Sequence, residues 1–179
     1  MLPFYMGTFE QLQKLGVAED ERASKHMADF RQQDELGHDF AVLEAIGEAD
    51  AVAVLRPVLT EEDLAESLAR ALSHRGKEYN FDFDFETTDA LVCTELVFRT
   101  FDGIVMMPEM ELIMGKPRLP ASAYVRMWAE GRNSEATHLE LVRFLDFDES
   151  SGVAVEADAE SAPDSLSFGD GEGCPRRCP

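Results

Sequence analysis

Between Gly76 and Val97 the chain changes its hydrophobic period, and that change constrains the fold more than any other stretch. From Tyr79 to Phe85 aromatic residues alternate with Asn80, Asp82 and Asp84. This is the two-residue period of a half-buried strand. From Cys93 onward the apolar positions fall at Cys93, Leu96, Val97 and Phe101, one face of a helix. Thr87, Thr88 and Asp89 are all good N-cap types, so the helix is expected to begin a turn or less before Cys93. Asp102-Gly103 supplies the stop. The pattern therefore predicts a thiol on the inner stripe of a first helical turn, behind an aromatic strand.

Chemistry gives that placement two readings. A thiol attacks as thiolate, and backbone N–H groups at a helix start favour the thiolate form. The same donors can hold an oxyanion formed on a carbonyl. Against this, an unpaired cysteine commonly acts as a small buried hydrophobe. Glu44 poses a similar choice. It is a charged residue inside the apolar run Phe40–Ile46, either facing outward from a half-buried strand or serving a site. Tyr79 reads from the pattern as one of four stacked aromatics, with Phe81, Phe83 and Phe85.

The stretch resembles the motif of the permuted papain-like amidases, the YiiX/YebB-like group of the NlpC superfamily. That motif runs Gly-Lys-Pro-Tyr-Asp, an aromatic-and-acid segment, then Cys-Ser-Glu-Leu-Val. Here it reads Gly76-Lys77-Glu78-Tyr79-Asn80, then Cys93-Thr94-Glu95-Leu96-Val97. The resemblance extends from about Pro3 to about Asp148. It implies thiol-dependent hydrolysis of an amide bond, with Cys93 as nucleophile. Glu44 would be the carboxylate that orients the base, since Val42-Leu43-Glu44-Ala45-Ile46-Gly47 is similar to the family segment carrying it. Tyr79 would donate to the oxyanion together with the Cys93 backbone N–H. The family's histidine precedes by four residues the tyrosine of a Tyr-hydrophobic-Gly turn, which Tyr5-Met6-Gly7 matches, so its position falls on Met1. The resemblance thus implies a truncated reading of a longer gene or an inactive homologue. His38, six residues before Glu44, is the one other histidine placed to act as base; His26, His74 and His138 are expected at the surface. The family's segment between the Glu44 strand and Ala53-Val54-Leu55-Arg56-Pro57 is nearly absent here, so the resemblance selects no substrate. Peptides, peptidoglycan stem peptides and acyl amides are the classes it brings. A binding module that keeps the fold without catalysis is the rival reading.

At 179 residues the chain fits one domain with a real core, and 45% of it is hydrophobic. We expect that domain over residues 1–148, with a disordered acidic tail over 149–179, where large apolar residues become scarce. The expected fold is α+β, papain-like and circularly permuted. Its small antiparallel sheet would use strands near 2–6, 40–46, 51–55, 79–85 and 139–147, packed against the Cys93 helix. A tight hairpin at Gly47–Asp50 would join two of them. Helices are expected after the Thr8/Gln11 capping box, over about 23–33, after Thr60 with Gly76 as its cap, and after Pro120.

Thirty-six acids against 16 bases give a net charge of −20. Such a surface repels phosphate backbones and anionic lipid, which argues against nucleic-acid and polybasic membrane partners. No apolar run approaches the ~18 residues of a membrane span. The N-terminus lacks a basic region and a cleavage site, so the chain as it stands reads as cytoplasmic. Cys174 and Cys178 form neither a disulfide framework nor a zinc set with Cys93. Asp82, Asp84 and Glu86 lack the glycine turn and distal glutamate of a calcium loop, so no cofactor or metal is expected.

Overall fold

Thr8 opens the first element by satisfying helix N–H groups that have no partner of their own. Its Oγ1 accepts from the Gln11 backbone N–H at 3.3 Å, while Gln11 Oε1 accepts from the Thr8 N–H at 2.8 Å. This reciprocal box starts helix α1 (Phe9–Lys14), as the spacing predicted. A computed structural model describes residues 6–36, 51–83, 85, 87–132, 138–148 and 153–157. The strands expected at 2–6 and 40–46, and the hairpin at 47–50, lie outside the described residues. The described residues fall into two compact units. One holds residues up to 36 and from 59 to 120; the other holds 51–58 and everything from 121 onward.

The first unit is mainly helical. After α1 a 3-10 turn (Val17–Glu19) leads into α2 (Glu21–Leu36), and Thr60 caps α3 (Glu61–Ser73) by accepting from the Asp63 N–H at 3.1 Å. Leu12, Val17, Ala23, Met27, Leu68, Ala69 and Leu72 form one buried cluster. Burying aliphatic side chains of this size contributes about 1.5–3 kcal/mol each. At the rim, Arg22 bridges Asp20 and Glu66, and Arg70 joins Glu66 at 2.8 Å. Those two guanidinium groups hold the Glu66 carboxyl down to about 2, from hydrogen bonding first and charge second. His74 caps α3, and Gly76, with φ +84°, makes the left-handed turn that follows.

Two short strands come next, β2 (Glu78–Tyr79) and β3 (Ala90–Leu91), paired in parallel. Then α4 (Cys93–Phe101) packs against α3 and stops at Asp102, before Gly103 with φ +74°. Residues 104–119, which show no clear period, contain a hairpin of β4 (Glu111–Ile113) and β5 (Lys116–Arg118). Its two-residue loop, Met114-Gly115, has φ of +54° and +78°. Positive φ at both central residues is the turn whose twist matches a hairpin.

The aromatic stretch departs from the expected strand over 79–85. Only Glu78–Tyr79 is extended in a ladder; from Asn80 the chain turns. Asn80 Oδ1 accepts from the Asp82 N–H at 3.0 Å, and the Asn80 carbonyl accepts from the Phe83 N–H at 3.4 Å. The asparagine side chain offers the backbone an alternative to a ladder, and a local turn wins. Burial inverts accordingly: Asn80 is 7% exposed and Phe81 81%.

In the second unit, β1 (Ala51–Pro57) pairs antiparallel with β6 (Leu139–Asp148), and β6 with β7 (Val153–Glu156). Helix α5 (Ala121–Gly131) follows Pro120 as expected and buries Tyr124 and Trp128. Trp128 and Phe144 form the centre of this unit, with Ala53, Leu55, Leu139 and Leu141 around them. Strand β7 lies inside the stretch expected to be a disordered tail. Four residues alternating Val and Ala-Glu suffice there because β6 already offers a free edge. The architecture is thus mixed α+β, with five α-helices and three small sheets among the described residues, two antiparallel and one parallel. Leu12→Ala, which empties the centre of the helical cluster, should cost about 2–5 kcal/mol. Thr8→Ala should cost about 1 kcal/mol. Urea denaturation followed by helical circular dichroism measures both.

Candidate functional site

The segment entering α4 decides where Cys93 stands. The chain stays extended through Ala90, Leu91 and Val92, because Glu78 and Tyr79 pair with Ala90 and Leu91 and the Asn80 N–H donates to the Leu91 carbonyl at 3.1 Å. Val92, with φ −90° and ψ 160°, is the N-cap, and Cys93 is the first helical residue. The expected cap at Thr87, Thr88 or Asp89 is therefore displaced: strand pairing holds residues that side-chain capping would have placed in the helix. Valine brings no side-chain cap bond. The first-turn N–H groups of a helix have no intrahelical acceptor, so they point outward past the cap.

Cys93 is half-buried and unpaired with any other cysteine. The buried face of α4 differs from the one expected. Thr94, Glu95, Thr100 and Phe101 are buried, while Cys93, Leu96 and Val97 are half-buried. Phe101 is the one residue common to both sets. Apolar periodicity missed the face because its centre is a charged residue.

Tyr79 stands opposite Leu91 in the parallel pair, so it lies two residues in register from Cys93. Its ring is 47% exposed and meets Phe81 edge-on at 4.9 Å and Phe83 at 6.3 Å. Arg118, from β5, lies over the Phe83 ring at 5.6 Å and donates to the Asp82 carbonyl at 3.4 Å. Phe83 holds φ at +51°, an uncommon backbone for a bulky residue. The aromatic run is thus an exposed turn beside the start of the cysteine helix, rather than the hydrophobic face of a strand.

Glu95 is the residue whose burial pattern reasoning did not find. It has no exposed surface, and its Oε1 accepts from Arg99 Nε at 2.7 Å, with Nη2 at 2.6 Å. Its Oε2 is buried without a hydrogen-bond partner. Arg99 also reaches back to the incoming chain: Nη2 donates to the carbonyls of Phe85 at 3.5 Å and Thr87 at 3.3 Å. Lys77 Nζ donates to the Thr88 carbonyl at 2.7 Å. The i, i+4 spacing of Glu95 and Arg99 was visible in the sequence, but it equally suits a solvated surface pair.

Glu44, His38, Met1, Asp84, Glu86, Cys174 and Cys178 lie outside the described residues. The three remaining histidines are half-buried, where the sequence suggested a surface place. Burial, with the Lys77 and Arg99 charges behind it, pushes the His74 imidazole down to about 4. Its Nδ1 is buried without a hydrogen-bond partner. His26 is also lowered, chiefly by burial. Among the described residues no three His, Cys, Asp or Glu side chains converge to hold a metal ion, and no described helix is long and apolar enough to cross a membrane. No protein-family model, curated protein or solved structure matches this chain.

His74 generates a pH prediction. Its folded value lies below that of the unfolded chain, so the unfolded state binds the extra proton between about pH 6.5 and 4. Stability present at neutral pH should fall through that window. Half-burial reduces the full linkage figure to about 1–2 kcal/mol. Urea midpoints taken from pH 7 to pH 4 should show a shallower fall in His74→Gln than in the parent.

Proposed function

We propose that the protein is a thiol-dependent hydrolase that opens an amide or related acyl bond through an acyl-cysteine at Cys93. One observation carries the reading: the parallel pairing of Glu78–Tyr79 with Ala90–Leu91 sets Tyr79 beside the start of the helix whose first residue is Cys93. The Gly76–Asn80 and Cys93–Val97 motifs, 13 residues apart in sequence, therefore meet in space, as a shared site requires. On this reading Cys93 Sγ attacks the carbonyl, and its backbone N–H with the Tyr79 hydroxyl receives the negative charge on oxygen. The leaving amine departs protonated, and water then releases the acid and restores the thiol. Glu44 belongs to this proposal as the carboxylate that orients the imidazole. The family position of that imidazole carries Met1 here. The permuted papain-like fold, and peptide or acyl-amide substrates, belong to the same proposal.

Cys93 is half-buried rather than sealed in the core, which favours this reading over a binding module whose cysteine is only packing. The test is acyl transfer from an activated ester, read by intact mass and peptide mapping. A single acyl group should appear on Cys93, and Cys93→Ala should abolish it. Tyr79→Phe should slow it about a hundredfold, the usual cost of one oxyanion donor. Because the imidazole position carries methionine, added imidazole should speed release of the acyl group. Acylation spread equally over Cys93, Cys174 and Cys178 would sink the proposal.

A further inference from the structure

We propose that Glu95 and Arg99 form a positioning pair that fastens the chain entering Cys93 to the helix it begins; the functional side of this inference rests on Cys93 being the nucleophile. Glu95 is fully buried, yet Arg99 reaches it from a half-buried place on the next helical turn. Against a packed apolar pair, a buried ion pair contributes little stability, and what it supplies is a defined geometry. Here the geometry has a clear recipient. One carboxylate oxygen, Oε1, accepts from Nε and lies 2.6 Å from Nη2, so the guanidinium edge is held against the carboxylate. The same Nη2 is left facing the carbonyls of Phe85 and Thr87.

Residue 85 and residues 87–89 lie between the aromatic turn and β3, and these described residues make no ladder of their own. Their described ties are Arg99, Lys77 on the Thr88 carbonyl, and the Asn80 Nδ2 contact with Thr87 Oγ1 at 3.3 Å. Arg99 alone among these belongs to the cysteine helix. It converts a connection into a clamp: the register of Leu91 against Tyr79, and so the placing of Cys93 relative to the Tyr79 hydroxyl, is held from the helix side. Neither residue touches the reacting atoms, so each acts through the segment it holds. The lysine ammonium is a point charge that can meet Glu95 but cannot hold a planar fork and a carbonyl together.

Arg99→Lys and Glu95→Gln in the full chain separate this role from a general structural one. Hydrogen exchange should quicken at least tenfold at the Asn80 N–H, which the Leu91 carbonyl accepts, and at residues 90–92. Amides of Leu12, Leu68 and Leu72 should stay within twofold of the parent. Iodoacetamide alkylation of Cys93 should change at least threefold, with the urea midpoint of Arg99→Lys little altered. Where the parent takes an acyl group, both variants should lower the acylation rate with the ester's apparent affinity held. Unchanged exchange at 80 and 90–92, or exchange rising equally in the helical cluster, overturns the clamp. A parent that never acylates overturns the nucleophile instead, while local exchange still decides whether the pair holds the segment.

Discussion

A carboxylate with no exposed surface needs a cation, and in this chain that requirement shapes the neighbourhood of Cys93. Glu95 lies on the buried face of its helix, where an unpaired charge would cost several kcal/mol. Arg99, one turn later, meets it and remains in contact with the connection before β3. The strand pair β2–β3 is two residues long on each side and could not hold its register by ladder bonds alone. Side-chain ties to backbone carbonyls supply what so short a ladder lacks. The start of the cysteine helix is thus defined by polar contacts, with the hydrophobic cluster of α1, α2 and α3 as the body behind it.

The aromatic turn follows from the same economy of short elements. Asn80 binds its own backbone, releases the chain from the ladder after Tyr79, and is itself buried. Tyr79, Phe81 and Phe83 are then displayed together on the outside, with Arg118 against the last ring. Exposed aromatics gathered at one place contribute nothing to the core.

His74 shows how burial sets chemistry independently of a residue's type. It caps α3, a short turn from Lys77 and close enough to Arg99 to be influenced by it, and both cations disfavour its protonation. An imidazole so placed stays neutral across the physiological range. It is a poor donor of charge-assisted bonds, and its fold contribution is sensitive to acid.

Local signals were legible in the residues themselves. The Thr8/Gln11 box, the Thr60 cap, Pro120 before α5, the Asp102-Gly103 stop and the strands expected near 51–55 and 139–147 all follow from near-neighbour chemistry, which sequence records directly. What the pattern misjudged were places where a distant partner outweighs local preference. Strand pairing carried 90–92 past three good capping residues, an asparagine turned a perfect alternation into a loop, and an available sheet edge drew Val153–Glu156 out of an acidic tail. The burial of Glu95 belongs with these: its spacing to Arg99 is written in the chain, but which side of the helix faces the interior depends on α3, and only packing decides that.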